Sequence, residues 1–287
     1  MATTFGKTAT PRFRADPTAP NENVATPSHW FAFRRGDLLV RKAEAGSAHL
    51  YEVPFGVALP DAARSSVVRS QPLGFMDDKP CVSAELSPDG SVPEPYAFVS
   101  LRKLHGNIDS AFFDAAGTAF QIQYWDRTNR FCAECGATLL PMAEQRSKRC
   151  PSCEHHYFPR ITPAIIVLIE DGPRILMTRQ THFPVGMYGL VAGFVEPGET
   201  FEETVRREAL EETGIEVSDI TYFGSQPWPF PHQIMVGFFG RATGGELVVD
   251  HKELEEALWF DRSAMPKLPL PISIARKLID AWLARPV

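Results

Sequence analysis

Four cysteines constrain this chain more tightly than anything else in it. Two residues separate Cys132 from Cys135, two separate Cys150 from Cys153, and fourteen separate the pairs. Two such knuckles match the pattern by which four thiolates surround one zinc ion tetrahedrally. The gap is one residue shorter than usual. A chain that brings both knuckles to one ion must fold 129–159 into a small ribbon, which divides the remainder in two. Two disulfides are the rival arrangement and would suit a secreted chain; nothing in the sequence indicates secretion. Four thiolates leave no coordination position open, so the zinc would be structural. His155 and His156 follow directly and could replace a ligand only if a cysteine were missing. Cys81 stands apart and reads as a small buried apolar residue.

The rest of the composition is ordinary. With 287 residues, 44% apolar and 22% charged, the chain has room for two domains and a sizeable core. A formal net charge of −6 argues against a broad basic surface for nucleic acid, although Lys148 and Arg149 beside Cys150 offer some local charge. No apolar run approaches the roughly 18 residues of a membrane span, so no membrane association is expected. The Thr/Ala/Pro-rich start reads as a disordered tail over 1–27, with a transit peptide as the alternative. The last residues are not a peroxisomal signal, and a cytoplasmic location is expected.

Chemistry concentrates between Gly193 and Ile215, GFVEPGETFEETVRREALEETGI. Thr200 and Glu203 form a capping box, and Gly214 stands where a helix ends in a left-handed residue. Phe201, Val205 and Ala209 make a narrow apolar stripe. Beside it Glu208, Glu211 and Glu212 share one face and would repel one another unless a cation sits among them. Mg²⁺ takes such carboxylates together with phosphate oxygens; the plain alternative is a solvated acidic face. Gly193, Glu199, Arg207, Glu208, Glu211, Glu212 and Gly214, with apolar Ala209 and Ile215, resemble the Nudix box. That resemblance implies a loop–helix–loop that holds divalent metal and hydrolyses a nucleoside diphosphate linked to another group. It implies metal binding by Glu208, Glu212 and the Ala192 main-chain oxygen, with Glu211 as ligand or base. It adds Glu253 as a carboxylate from outside the helix, and has Arg207 hold Glu199. A surface ion pair of Arg207 with Glu203 is the local rival.

Around these stretches, residues 28–128 read as a β-rich N-terminal domain, with a helix over 115–128 carrying Phe120, Ile122, Tyr124 and Trp125. Residues 160–287 read as strands 164–169 and 175–177 in a hairpin, then 190–192, the box helix, 220–223, 234–239, 247–249 and 257–260. An amphipathic helix over 273–283 closes the chain. The expected fold class is α/β: a C-terminal α/β/α sandwich with a mixed sheet, preceded by a Cys₄ zinc ribbon and the β-rich domain.

One further stretch narrows the substrate. In Ser225-Gln226-Pro227-Trp228-Pro229-Phe230-Pro231, three prolines exclude a helix or central strand and suggest a stiff loop displaying two rings. These rings could stack on a base or simply pack. Following the box at this distance, the stretch resembles the signature of NADH pyrophosphatases, the Nudix hydrolases with a zinc ribbon. The resemblance implies substrate contacts at Phe194, Gln226, Pro227, Trp228, Pro229, Phe230, Pro231 and Ala275, and at Phe158 from the neighbouring subunit of a homodimer. Where relatives have Pro-x-Ser, this chain has Gln233 after Pro231-His232, a departure that bears on fine specificity. The expected activity is Mg²⁺- or Mn²⁺-dependent cleavage of NAD(H) to nicotinamide mononucleotide and AMP. Removal of a NAD cap from RNA by the same site is the alternative. A catalytically silent nucleotide sensor is the third reading, opposed by the intact set of Glu199, Arg207, Glu208, Glu211 and Glu212.

Overall fold

The computed structural model describes residues 12–19, 26–89 and 91–286. The chain divides into two compact units, one ending at Arg160 and the other beginning at Ile161. The first contains strands β1 (Phe13–Ala15), β2 (Ser28–Arg34), β3 (Asp37–Lys42), β4 (Tyr51–Glu52), β5 (Phe55–Gly56), β6 (Val67–Met76), β7 (Lys79–Leu86) and β8 (Tyr96–Ser100). They form one sheet in the order β1-β6-β7-β2-β3-β4, with β5 added on β2 and β8 on β3. Its tight turns at Arg35–Gly36 and Asp77–Asp78 place both central residues at positive φ, as a two-residue type I′ hairpin requires. Cys81 is fully buried.

Helices α1 (Asp61–Arg64), α2 (Leu101–Leu104) and α3 (Ser110–Thr128) complete this part. The last begins earlier than its apolar pattern suggests, because Asp109 caps it by accepting from the N–H groups of Ala111 and Phe112. Phe112 and Phe120 of α3 lie against Phe31 and Phe33 of β2. The expectation of a disordered tail fails at residues 12–19. There β1 pairs with β6, Phe13 opposite Met76 and Ala15 opposite Gly74. Gly74 permits the approach, since a Cβ there would lie 2.1 Å from the Arg14 carbonyl oxygen. Arg12 fastens the strand to Asp77 and Asp109 at 2.7 and 2.8 Å. Residues 1–11 and 20–25 of the expected tail lie outside the described residues.

The ribbon is a three-stranded sheet of β9 (Leu140–Pro141), β10 (Lys148–Arg149) and β11 (His156–Tyr157), with β10 in the middle. Lys148 does not supply the local charge read from its place beside Cys150. Lys148 is buried and donates to the carbonyls of Asp126 and Asn129 at 2.7 and 2.8 Å while pairing with the Asp126 carboxylate at 2.6 Å. It thereby caps the C-terminal end of α3. Arg149 pairs with Glu154.

The second unit is built on β12 (Thr162–Asp171), β13 (Arg174–Arg179), β14 (Val191–Phe194), α4 (Phe201–Thr213), β15 (Glu216–Trp228), β16 (Gln233–Gly244), β17 (Glu256–Asp261) and α5 (Ile274–Leu283). The sheet order is β15-β16-β12-β13-β17, with β14 on β12. Strands β12 and β16 run parallel and the other pairs antiparallel, so the sheet is mixed. The unbroken apolar run Ala164–Ile169 follows from burial on both faces. Ile165, Val167 and Ile169 meet Val205 and Ala209 of α4. Ile166 and Leu168 point the other way, to Ile274, Leu278 and Trp282 of α5. This is an α/β/α sandwich. Residues 247–249 are not the strand that their side chains suggest. The Val248 N–H donates to the Thr213 carbonyl at 3.0 Å, so this segment pairs with the end of α4 and not with a strand.

Candidate active site

Helix α4 starts and stops as its sequence dictates. Thr200 Oγ1 accepts from the Glu203 N–H at 3.2 Å, and the Glu203 carboxylate accepts from the Thr200 N–H at 2.8 Å. Gly214 takes φ 72°, where an added Cβ would meet the Glu246 carbonyl oxygen at 2.4 Å. Val205 and Ala209 are fully buried, whereas Phe201 at the head of the stripe remains partly exposed.

With Glu203 engaged in the cap, Arg207 reaches the loop before the helix. Its guanidinium donates to both Glu199 oxygens at 2.5 and 2.9 Å, to the Phe194 carbonyl at 2.9 Å, and to Glu208 and Glu211 at 2.8 and 3.0 Å. One side chain thus ties the end of β14, the loop and the helix together. The Arg207 hydrogen bonds, helped by the Glu196 N–H and the Thr204 hydroxyl, hold the Glu199 carboxyl down at about 2.

Glu208 and Glu212 face inward and are 8% and 3% exposed. Burial raises both carboxyls above their ordinary value. Glu212 is pushed up to about 8 by burial first, then by the charges of Glu208, Glu253, Asp250 and Glu211. Its Oε2 is buried without a hydrogen-bond partner. Gly193 is what lets Glu208 lie where it does, for a Cβ there would stand 1.9 Å from the carboxylate. Ala192 sits just before it in β14, opposite Ile166. Glu211 is exposed, as is Glu253 on the connection between β16 and β17. A buried orphan oxygen among mutually repelling carboxylates is chemically incomplete. Hard oxygen donors of this kind fit a divalent cation. The charge of Asp250 also acts on Glu212. The sequence reading passed over this residue, although an aspartate three residues before Glu253 is a turn-forming signal.

The proline-rich stretch is partly strand. β15 continues to Trp228, pairing Gln226 with Met235, Pro227 with Ile234 and Trp228 with Gln233. It is an edge strand, where a missing N–H disrupts no internal ladder, so Pro227 does not end it. Only the turn from Pro229 through Pro231 to His232 is irregular. Trp228 and Phe230 meet edge to face, 5.1 Å between centroids. Gln226 directs its amide into the fold. It donates to the Ile272 carbonyl at 2.6 Å and accepts from the Ile274 N–H at 2.7 Å. Ala275 is buried in the core under α5, whereas Phe194 at the end of β14 is 47% exposed.

In the ribbon, the sulfur atoms of Cys132, Cys135, Cys150 and Cys153 all lie within 4.8 Å of one another, and none is in a disulfide. The pairs 132–153 and 135–150 are 3.4 Å apart, too far for a bond and close to the edge of a thiolate tetrahedron around zinc. Tyr157 Oη lies 3.2 Å from Cys132 Sγ and accepts from the Ala133 N–H at 2.8 Å. The donor set fits a structural zinc. Phe158, exposed just beyond, stacks on His156.

Comparison with known proteins divides the chain into the same chemistries. Residues 27–125 match a NADH pyrophosphatase-like rudimentary NUDIX domain, 127–158 a NADH pyrophosphatase zinc ribbon domain, and 159–283 a NUDIX domain. The chain is 43% identical over 215 residues to the NAD-capped RNA hydrolase NudC of Pseudomonas aeruginosa, covering 74% of this chain and 76% of that protein. It is 47% identical over 165 residues to NudC of Chromobacterium violaceum, covering 58% and 62%. A NUDIX hydrolase crystal structure from Nitrosomonas europaea aligns with TM-score 0.47 at 22% identity, covering 54% of this chain and 92% of that one.

Proposed function

The chain belongs to the NudC family of zinc-ribbon Nudix hydrolases, and from that premise we propose that it cleaves the diphosphate of NAD(H) to nicotinamide mononucleotide and AMP. The observation that carries the reading is the buried Glu212 carboxylate, its Oε2 without a hydrogen-bond partner, beside Glu208 on a helix clamped by Arg207. Glu208, Glu212 and Glu253, with Glu211 and the Ala192 carbonyl beside them, would hold Mg²⁺ or Mn²⁺. When bound, the cation supplies neutralisation of the diphosphate and a water of lowered pKa. The protein's own part is positioning. Arg207 fixes the spacing of loop and helix, so Glu199, Glu208 and Glu211 keep their places while substrate enters. Glu211 gives one oxygen to Arg207 and is exposed, which leaves the other available to take the proton of the attacking water. Phe194, Trp228 and Phe230 offer ring faces for the nicotinamide or adenine. Gln226, with its amide committed to the start of α5, serves by holding the Trp228 strand in place.

The names of its relatives favour a second substrate, RNA capped with NAD, hydrolysed by the same residues. The proposal extends to a cytoplasmic homodimer in which Phe158 serves the partner's base site; light scattering tests the dimer. The deciding experiment is product analysis with Mg²⁺ and with Mn²⁺ against NADH, NAD⁺, NADPH and NAD-capped RNA. Mononucleotide products that vanish in Glu212→Gln are expected. Unchanged turnover in Glu212→Gln would refute the assignment.

A further inference from the structure

The connection from β16 to β17 is anchored on both sides of Glu253. On the upstream side, the N–H groups of Val248 and Asp250 donate to the carbonyls of Thr213 and Glu212 at 3.0 and 3.1 Å. Those carbonyls belong to the last turn of α4, where no helical partner is available. On the downstream side, the Glu255 N–H donates to the Arg179 carbonyl at 2.8 Å, Arg179 pairs with the Glu255 carboxylate at 3.0 Å, and Tyr188 donates to Glu256. Leu254, 1% exposed, is seated in the core under α4.

Between these anchors Asp250 makes the turn. Its Oδ1 accepts from the Lys252 N–H at 3.0 Å, and its carbonyl accepts from the N–H groups of Glu253 and Leu254 at 3.2 and 3.0 Å. An aspartate that bonds the main chain two residues on replaces one residue of an ordinary turn, which fixes where the following residues point. The next carboxylate, that of Glu253, is close enough for its charge to act on both Glu208 and Glu212. The Asp250 N–H grips the carbonyl of Glu212 itself. The same residue therefore touches the helix that bears the inner carboxylates and shapes the turn that bears the outer one.

We propose that Asp250 is a positioning residue for the metal site: through its turn and its bond to the Glu212 carbonyl, it sets the place of the Glu253 carboxylate relative to Glu208 and Glu212. The proposal rests on the reading of Glu253 as a metal-binding carboxylate. Although the Asp250 charge also acts on Glu212, the proposed role lies in its acceptor oxygen and its backbone position. Asparagine keeps the acceptor oxygen, whereas alanine removes it.

The test measures binding of Mn²⁺ alone, by electron paramagnetic resonance, to the full chain with its zinc in place, and then steady-state kinetics with NADH. Asp250→Ala should weaken Mn²⁺ binding about 10-fold or more, the size found when a group that orients a ligand is lost. It should raise the Mn²⁺ needed for half-maximal kcat by the same factor and leave the KM for NADH unchanged at saturating metal. Asp250→Asn should stay within about threefold of the parent in both. Thermal unfolding checks that each variant folds, and Asp250→Ser, which also keeps an acceptor, replaces Asp250→Asn if that variant does not. Equal losses in Asp250→Ala and Asp250→Asn would overturn the proposal, because the charge itself would then be the contribution. Unaltered Mn²⁺ binding in Asp250→Ala would overturn it as well. Glu253→Gln is measured alongside: unchanged Mn²⁺ binding there would defeat the underlying reading of Glu253, a failure separable from that of Asp250.

Discussion

Replacing Gly193 by alanine adds a single methyl group at the point where β14 passes beneath Glu208. The added Cβ would stand 1.9 Å from both Cδ and Oε1 of Glu208 and 2.3 Å from Oε2. Carbon atoms in contact sit about 3.5–4.0 Å apart, so the carboxylate or the strand must retreat by roughly 1.5 Å. Neither is free to do so cheaply. Arg207 holds the carboxylate at 2.8 Å, and the strand is laddered to β12 from Ala164 to Val167. Overpacking of this kind costs about 1–3 kcal/mol of stability. A displacement of an ångström in positioning machinery can cost on the order of 10² in rate. Gly193→Ala should therefore melt several degrees lower, remain folded, and lose about 10²-fold in kcat for NADH with little change in KM. The measurement is steady-state kinetics at saturating Mg²⁺, paired with thermal unfolding. Combining it with Glu208→Asp, which withdraws the carboxylate by one methylene, should cost less than the two single losses multiplied, because both act on one contact. A kcat within threefold of the parent would refute the reasoning, showing that the Glu208 carboxylate need not rest over Gly193.

Cys132→Ser should release the zinc, found by metal analysis at one per chain in the parent, and lower the melting temperature; full zinc occupancy with normal melting would contradict the Cys₄ assignment. Burial, with help from nearby Lys79 and Arg12 and against Asp77, pushes the His29 imidazole down to about 4. The native state thus binds fewer protons than the unfolded chain, so this contribution is present above pH 6.5 and lost as pH falls from there towards 4. His29→Gln should flatten the acid side of the stability profile over that window, and an unaltered slope would show that His29 is not responsible. Phe194→Ala should raise the KM for NADH about 2–10-fold through lost stacking while a small diphosphate ester is cleaved nearly as before. An equal loss on both substrates would mean that Phe194 supports the Arg207 clamp through its position and does not read the base.

Whether an element could be read from the sequence depended on where its hydrogen bonds and neighbours come from. The start and stop of α4 are local, since Thr200, Glu203 and Gly214 satisfy their own helix ends. The double-sided burial of β12 is written in its composition, with six consecutive apolar residues from Ala164 to Ile169. Strand β1 has no such signature. Phe-Arg-Ala is strand only because Gly74, about sixty residues on, leaves room for its backbone. Two further misjudged segments have the same origin. Residues 225–228 were expected as loop from their prolines, but an edge position makes a missing N–H harmless. Residues 247–249 were expected as strand from their side chains, but their amides serve the end of a helix.

The candidate site divides along the same line. Side-chain spacing puts Glu208, Glu211 and Glu212 on one face of α4, and the Arg207 to Glu199 clamp follows from the box resemblance. Which of those carboxylates is costly to bury is a tertiary matter. Glu212 becomes the strained one because it lies over the core with Glu208, Glu253 and Asp250 around it, while Glu211 on the next residue stays exposed. Lys148 shows the opposite outcome: a basic residue beside a metal knuckle looks like a nucleic-acid contact, yet its ammonium is spent on three oxygens at the end of α3. A charge in sequence states only what must be compensated. The fold decides whether water, a partner side chain or a bound ion does it, and at Glu212, whose buried Oε2 has no hydrogen-bond partner in the protein, a divalent cation is the compensation we propose.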